Sequence, residues 1–124
     1  MITEDYVSFE AAKLLKEKGF NEPTWTRYEN DDDNEVIFGD KYNWNNSPMG
    51  QISAPTHQMA MRWLRDIHNI IIEPESVWNG RKWEYLLFVV TSQNADSPYY
   101  EHNPYKSYEE CVEAAIKYCL ENLI

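Results

Sequence analysis

The chain has 124 residues, 43% of them hydrophobic and 15% aromatic, with 11 basic and 21 acidic side chains for a formal charge of −10 and a pI near 4.6. Such a chain is too apolar to be disordered and long enough to bury a core without help from disulfides or metals. Its acidity disfavours direct binding to nucleic acid or to anionic membranes, which require clustered Lys and Arg. The charge is uneven: −7 over residues 1–40, +2 over 41–70 (Lys41, Arg62 and Arg65 against Asp66), and −5 over 71–124.

In chain order, residues 5–19 predict a first helix. Val7, Ala11, Leu14 and Leu15 fall on one face, Ser8 and Asp5 compete as N-cap, and Gly19-Phe20 is the stop signal. A hairpin follows, with strands over 24–28 and 35–39 and the acidic turn Glu29-Asn30-Asp31-Asp32-Asp33-Asn34 between them. Residues 40–53 have no period and predict an irregular arm. A second helix starts near 53–56, with Pro55 tolerated in its first turn, an apolar stripe of Ala60, Trp63, Leu64 and Ile67, and a stop at Asn69.

The most informative stretch runs over 54–90, where this helix hands on to a strand, an Asn79-Gly80 turn and a second strand. Centring the hairpin on that turn pairs Ile70 with Val89, Ile72 with Leu87 and Pro74 with Tyr85. One face then carries Ile70, Ile72, Trp83, Tyr85, Leu87 and Val89. The other is polar near the turn (Glu73, Glu75, Glu84) and apolar away from it (Ile71, Leu86, Phe88, Val90). Residues 86–90 therefore predict an interior strand covered on both sides, and Pro74 marks a bulge or an edge. After an irregular Tyr- and Pro-rich segment over 92–106, Ser107-Tyr108-Glu109-Glu110 forms a capping box. It opens a last helix with the stripe Val112, Ala115, Ile116, Cys119, Leu120 and Leu123. The expected architecture is α+β: one globular domain over 1–124, a small antiparallel sheet from two hairpins packed with three helices, in the order α-β-β-α-β-β-α.

Three segments carry a family resemblance: residues 7–20 (Val7-Ser8-Phe9-Glu10-Ala11-Ala12 through Gly19-Phe20), Ala54-Pro55-Thr56 through Met61-Arg62-Trp63-Leu64-Arg65, and Tyr108-Glu109-Glu110 through Leu123-Ile124. Together they resemble a family of small uncharacterised proteins encoded in gut Bacteroidetes genomes, their phages and their mobile elements. The resemblance implies a genomic setting and carries over no activity, cofactor or catalytic residue.

No chemical motif stands out. Cys111 and Cys119 lie eight residues apart on one predicted helix, about 12 Å along its axis, too far to bridge or to share a metal. Cys119 is expected in the core and Cys111 at its margin. His57 and His68 are about 16 Å apart on one helix face, so they do not make a metal pair; His68 is expected at a boundary, satisfied by hydrogen bonds, and His102 in a loop. An EF-hand starting at Asp31 would need Gly at position six and Glu at position twelve, where Val36 and Tyr42 stand. The four glycines are too scattered to cradle phosphate, and no spacing singles out a carboxylate pair.

The expectation is thus a non-enzymatic protein without metal or cofactor. It has no signal-like N-terminus and no apolar run of membrane length, which predicts a cytoplasmic protein. It is expected to act by binding another protein, with Tyr42, Trp44, Tyr99, Tyr100 and Tyr105 as contact residues. The alternative is an acidic DNA mimic that inhibits a nucleic-acid-binding protein, using acids over 29–35 and 109–113. Homodimerisation through 86–90 or the last helix stays open.

Overall fold

The computed structural model describes residues 2–29, 35–90 and 104–124, together with the backbone of 99–100. The chain is α+β, with three helices and two three-stranded antiparallel sheets; the order roughly follows the predicted α-β-β-α-β-β-α, with a short extra strand after each hairpin and two sheets in place of the one expected. Each hairpin lies in its own sheet. Two compact units divide the chain, Met1–Met59 and Ala60–Ile124. Among the described residues no helix is long and apolar enough to cross a membrane.

In the first unit, α1 (Phe9–Glu17) is capped by Ser8, whose hydroxyl accepts from the Ala11 amide at 3.1 Å. Its C-terminus closes as the sequence predicts. Gly19 takes φ +92°, its N–H donates to the Lys16 carbonyl, and the Phe20 N–H reaches the Leu15 carbonyl at 2.9 Å. That double bond satisfies two orphan carbonyls and turns Phe20 into the core. Val7, Ala11 and Leu15 are buried, while Leu14 is only half-buried.

The first sheet has the order β2-β1-β3, from β1 (Thr24–Tyr28), β2 (Ile37–Tyr42) and β3 (Ile52–Ser53). β1 alternates cleanly, with Thr24, Thr26 and Tyr28 buried and Trp25 exposed. Its pairing with β2 is irregular: Thr24 faces Tyr42, but Thr26 faces Phe38, so the register slips between them.

The predicted irregular arm over 40–53 is ordered instead. β2 continues through Tyr42, a 3-10 turn spans Trp44–Asn46, and β3 pairs with β1. Asn45 replaces periodicity as the organiser. Its Oδ1 accepts from the Ser53 amide at 2.8 Å, its own amide N–H donates to Ser53 Oγ at 3.1 Å, and its Nδ2 donates to the Phe20 carbonyl at 2.9 Å. One Asn side chain bonding backbone on both sides leaves no hydrophobic signature to read. The acidic turn falls mostly on residues 30–34, outside the described residues.

The boundary between the units falls within α2 (His57–His68). Thr56 caps this helix by accepting from the Met59 amide at 3.1 Å, so Pro55 precedes the helix rather than entering its first turn. Asn69 ends it in the left-handed region (φ +58°). Ala60, Trp63 and Leu64 are buried as predicted; Ile67 is 57% exposed, so the stripe stops a turn early. His68 also departs from expectation. Its ring lies edge-on to Trp63 at 4.6 Å, and its buried Nε2 has no hydrogen-bond partner among the described residues.

In the second unit, β4 (Ile70–Val77) and β5 (Lys82–Val89) pair in the predicted register throughout, and β6 (Tyr99–Tyr100) completes the order β4-β5-β6. Asn79 and Gly80 both have positive φ, as a tight turn matched to strand twist demands. Pro74 sits on edge strand β4 without breaking the register. β5 is the interior strand, but its two faces differ: Tyr85 and Leu87 are buried, whereas Leu86 and Phe88 are half-buried and Val90 is exposed. The expected double cover is therefore partial.

α3 (Tyr108–Asn122) packs on β4 and β5. Ser107 accepts from the Glu110 amide at 3.1 Å. Five stripe residues, Val112 to Leu120, are fully buried, and Leu123 at the C-cap is partly exposed.

Candidate functional site

The five residues singled out from the sequence fall in both units. Tyr42 ends β2, is 44% exposed, and meets Trp44 edge-on at 5.1 Å. Trp44 is half-buried and tied into the fold: its indole N–H donates to the Thr24 carbonyl at 3.0 Å, and its ring carries the Arg27 guanidinium 4.5 Å above it. Arg27 in turn pairs with Glu29 at 3.0 Å, and the Gln51 amide donates to the same carboxylate. Gly39 lets Arg27 lie flat, because a Cβ there would come within 2.6 Å of its Nη1. Tyr105 belongs to the second unit. It exchanges backbone hydrogen bonds with Trp83 at 2.9 and 2.7 Å and stacks on Tyr85. Tyr99 and Tyr100 form β6 by backbone pairing; their side chains lie outside the described residues, as does His102.

Sequence reasoning missed Trp25, Phe38 and Met49, which are 62%, 69% and 76% exposed in the first unit. Trp25 and Phe38 read as ordinary strand residues. The register slip beside Trp25 gave no sequence signal. Such a slip re-aims side chains, and here it accompanies a Trp standing outward from a short strand.

Beside the slip lies a cleft of about 190 Å³. Tyr6 and Trp25 supply aromatic wall, Pro55 and Met59 aliphatic wall, and Glu4 and Lys41 one charge of each sign. The chain folds locally to make it: Tyr6 bridges Thr56, with the Val7 amide on the Pro55 carbonyl at 3.0 Å and the His57 amide on the Asp5 carbonyl at 2.9 Å. The threonines lining the cleft are already engaged. Thr24 Oγ1 donates to the Thr26 carbonyl, Thr26 Oγ1 to the Ala54 carbonyl, and Thr56 Oγ1 caps α2. The floor is therefore chemically quiet.

Among the described residues, neither the Trp25 indole N–H nor the Tyr6 hydroxyl has an intramolecular hydrogen-bond partner. Burial, and then the Glu4 charge, push the Tyr6 phenol above its usual pKa of 10.0, so it remains a donor at neutral pH. Tyr6 also meets Phe38 edge-on at 5.7 Å, which links the cleft to the exposed aromatic surface of β2.

Both thiols belong to the second unit. Cys111 and Cys119 are free and fully buried, Cys111 included despite its expected marginal place. Burial, with Glu84 adding to it for Cys111, raises their pKa values to about 11 and about 12. Thiols so raised are poor nucleophiles at neutral pH. Among the described residues no group of three or more His, Cys, Asp or Glu side chains is arranged to hold a metal ion.

No protein-family model, no curated protein and no solved structure matches this chain.

Proposed function

We propose that this protein is a small acidic accessory protein of the cytoplasm that works by binding another protein, through the aromatic side of its first unit. One observation carries the reading: a single short hairpin carries Trp25, Phe38 and Tyr42, exposed at 62%, 69% and 44%. Exposed aromatics of this size cost solvation free energy in the free protein, and Trp and Tyr are the residues that dominate binding hot spots. Trp44 supports the surface from beneath by holding Arg27 and Tyr42.

The test is affinity capture of the tagged protein from its native cells at low and high salt after nuclease treatment. The expected result is a specific partner retained at high salt and lost in the double variant Trp25→Ala, Tyr42→Ala. Absence of any specific partner in either condition would sink the reading.

A second reading, mimicry of DNA, draws on the second sheet. Glu75 stands directly opposite Glu84, with Glu73 on the same face. Like charges placed opposite each other destabilise a sheet. That reading requires a nucleic-acid-binding partner released by salt.

A further inference from the structure

We propose that Asn79, at the tip of the β4–β5 hairpin, is a site of spontaneous covalent modification, deamidating through a cyclic imide with Gly80 to isoaspartate and aspartate, and that the isoaspartyl form loosens the hairpin.

The chemistry needs a nucleophile, an electrophile and room. The Gly80 amide nitrogen loses its proton to hydroxide and attacks Cγ of Asn79. The N–Cγ bond forms, the Cγ–Nδ2 bond breaks, and the side-chain nitrogen takes a proton from water and leaves as ammonia. One water then opens the ring. Breaking the N–Cγ bond gives aspartate; breaking the bond to the main-chain carbonyl gives isoaspartate, with the chain rerouted through Cβ. The only co-reactant is water, and nothing is oxidised or reduced.

The structure leaves this one asparagine ready. Asn79 and Gly80 are both exposed. Among the described residues, neither the Asn79 carboxamide nor the Gly80 N–H has a hydrogen-bond partner. A Cβ on Gly80 would meet nothing closer than Ser76 Oγ at 3.7 Å, so the nucleophile is uncrowded. Other asparagines are held. The nitrogen after Asn46, that of Ser47, donates to the Trp44 carbonyl at 3.0 Å, and the nitrogen after Asn122, that of Leu123, donates to the Cys119 carbonyl at 2.9 Å. The Asn45 carboxamide is bonded at both ends, to Ser53 and to Phe20.

Ring closure requires the turn to open, and little holds it shut. Its closing bond, from the Arg81 N–H to the Trp78 carbonyl, is 3.2 Å long. Trp78, at φ +53°, is in a conformation that favours glycine, and its ring is largely exposed. Exposed tips with few packed contacts are where local opening is easiest. Isoaspartate then adds a carbon to the main chain at the residue that sets the two-residue turn, so the turn no longer matches the strands it joins.

The experiment incubates the full-length protein at pH 6 and pH 8, beside a capped peptide of residues 76–82, and follows each asparagine by peptide mapping with isoaspartate-resolving mass spectrometry. Asn79 should convert before any other asparagine in the folded chain, to a mixture containing isoaspartate. Its rate should be at least about tenfold higher at pH 8, because the attacking nitrogen is deprotonated in proportion to hydroxide. The converted protein, separated by its extra negative charge, should have a lower urea midpoint than freshly prepared Asn79→Asp, which carries the same charge on an unaltered main chain and keeps a turn-forming Asp-Gly pair.

An Asn79 that stays intact while the peptide converts overturns the proposal, since the turn would then protect it. Earlier conversion of another asparagine, or aspartate formed without isoaspartate, does the same. A converted protein that unfolds at the Asn79→Asp midpoint overturns the loosening of the hairpin.

Discussion

The β4–β5 hairpin runs without a break from Ile70↔Val89 to Val77↔Lys82, whereas β1 and β2 slip between Thr24↔Tyr42 and Thr26↔Phe38. The regular hairpin puts Tyr85 and Leu87 into a buried face under α3, and its outer edge, β4, carries Pro74 and two exposed glutamates. Both features discourage another strand from pairing there. The slipped hairpin turns Trp25 and Phe38 outward, leaves β2 exposed along nearly its whole length, and borders the cleft. One hairpin is built for stability. The other gives up regular pairing for a surface.

The largest effect that tests this contrast is Leu87→Ala. Leu87 is 1% exposed on the interior strand, so truncation should cost about 2–5 kcal/mol in urea unfolding. Phe38→Ala removes a bigger side chain from the other hairpin, yet at 69% exposure it should cost far less. Equal costs would break the comparison.

Next comes pH. The buried thiols have pKa values raised to about 11 and about 12 in the fold, against about 9 when exposed. The folded state therefore holds these protons where the unfolded state releases them. Their contribution is fully present below pH 9 and is lost as pH rises through 11 and 12. Urea midpoints should fall across that window, and less so in Cys119→Ala measured against its own value at pH 8.

What the sequence disclosed follows the same division. The β4–β5 register was legible because Asn79-Gly80 fixes the turn, and alternation then assigns every residue to a face. The helix ends were legible because Ser8, Gly19 and Ser107 are residues whose backbone or hydroxyl does one job. The arm over 40–53 was not, because its order comes from Asn45 bonding Ser53 and Phe20, contacts with no period. The cleft was illegible for a related reason. Tyr6, Trp25 and Met59 are far apart in sequence, and the register slip that borders them has no local marker. Ile67 and Leu123 matched the helical stripe but sit where their helices run out of neighbours, so periodicity overcounted the core.

A smaller effect concerns the tip of the regular hairpin. Trp78 precedes the turn with φ +53° and is 65% exposed. The left-handed region costs a non-glycine residue about 1–2 kcal/mol, and an exposed ring recovers little of it. Asn tolerates that conformation, so Trp78→Asn should stabilise the protein by about 0.5–1 kcal/mol in thermal or urea melts. Destabilisation instead would mean the indole packs on its own hairpin, and the tip would belong to the stability side of the comparison.

The smallest expected effect is the most telling. Trp25 is a large aromatic on a central strand, where truncation ordinarily costs several kcal/mol. It is nonetheless 62% exposed beside a register slip, and its indole N–H meets no acceptor among the described residues. If that side chain serves recognition, Trp25→Ala should change unfolding free energy by less than about 0.5 kcal/mol, the range of ordinary surface substitutions. A loss above about 1 kcal/mol would place Trp25 among the residues that hold the first sheet together. The slip would then be a packing solution, and the aromatic surface would lose its central member.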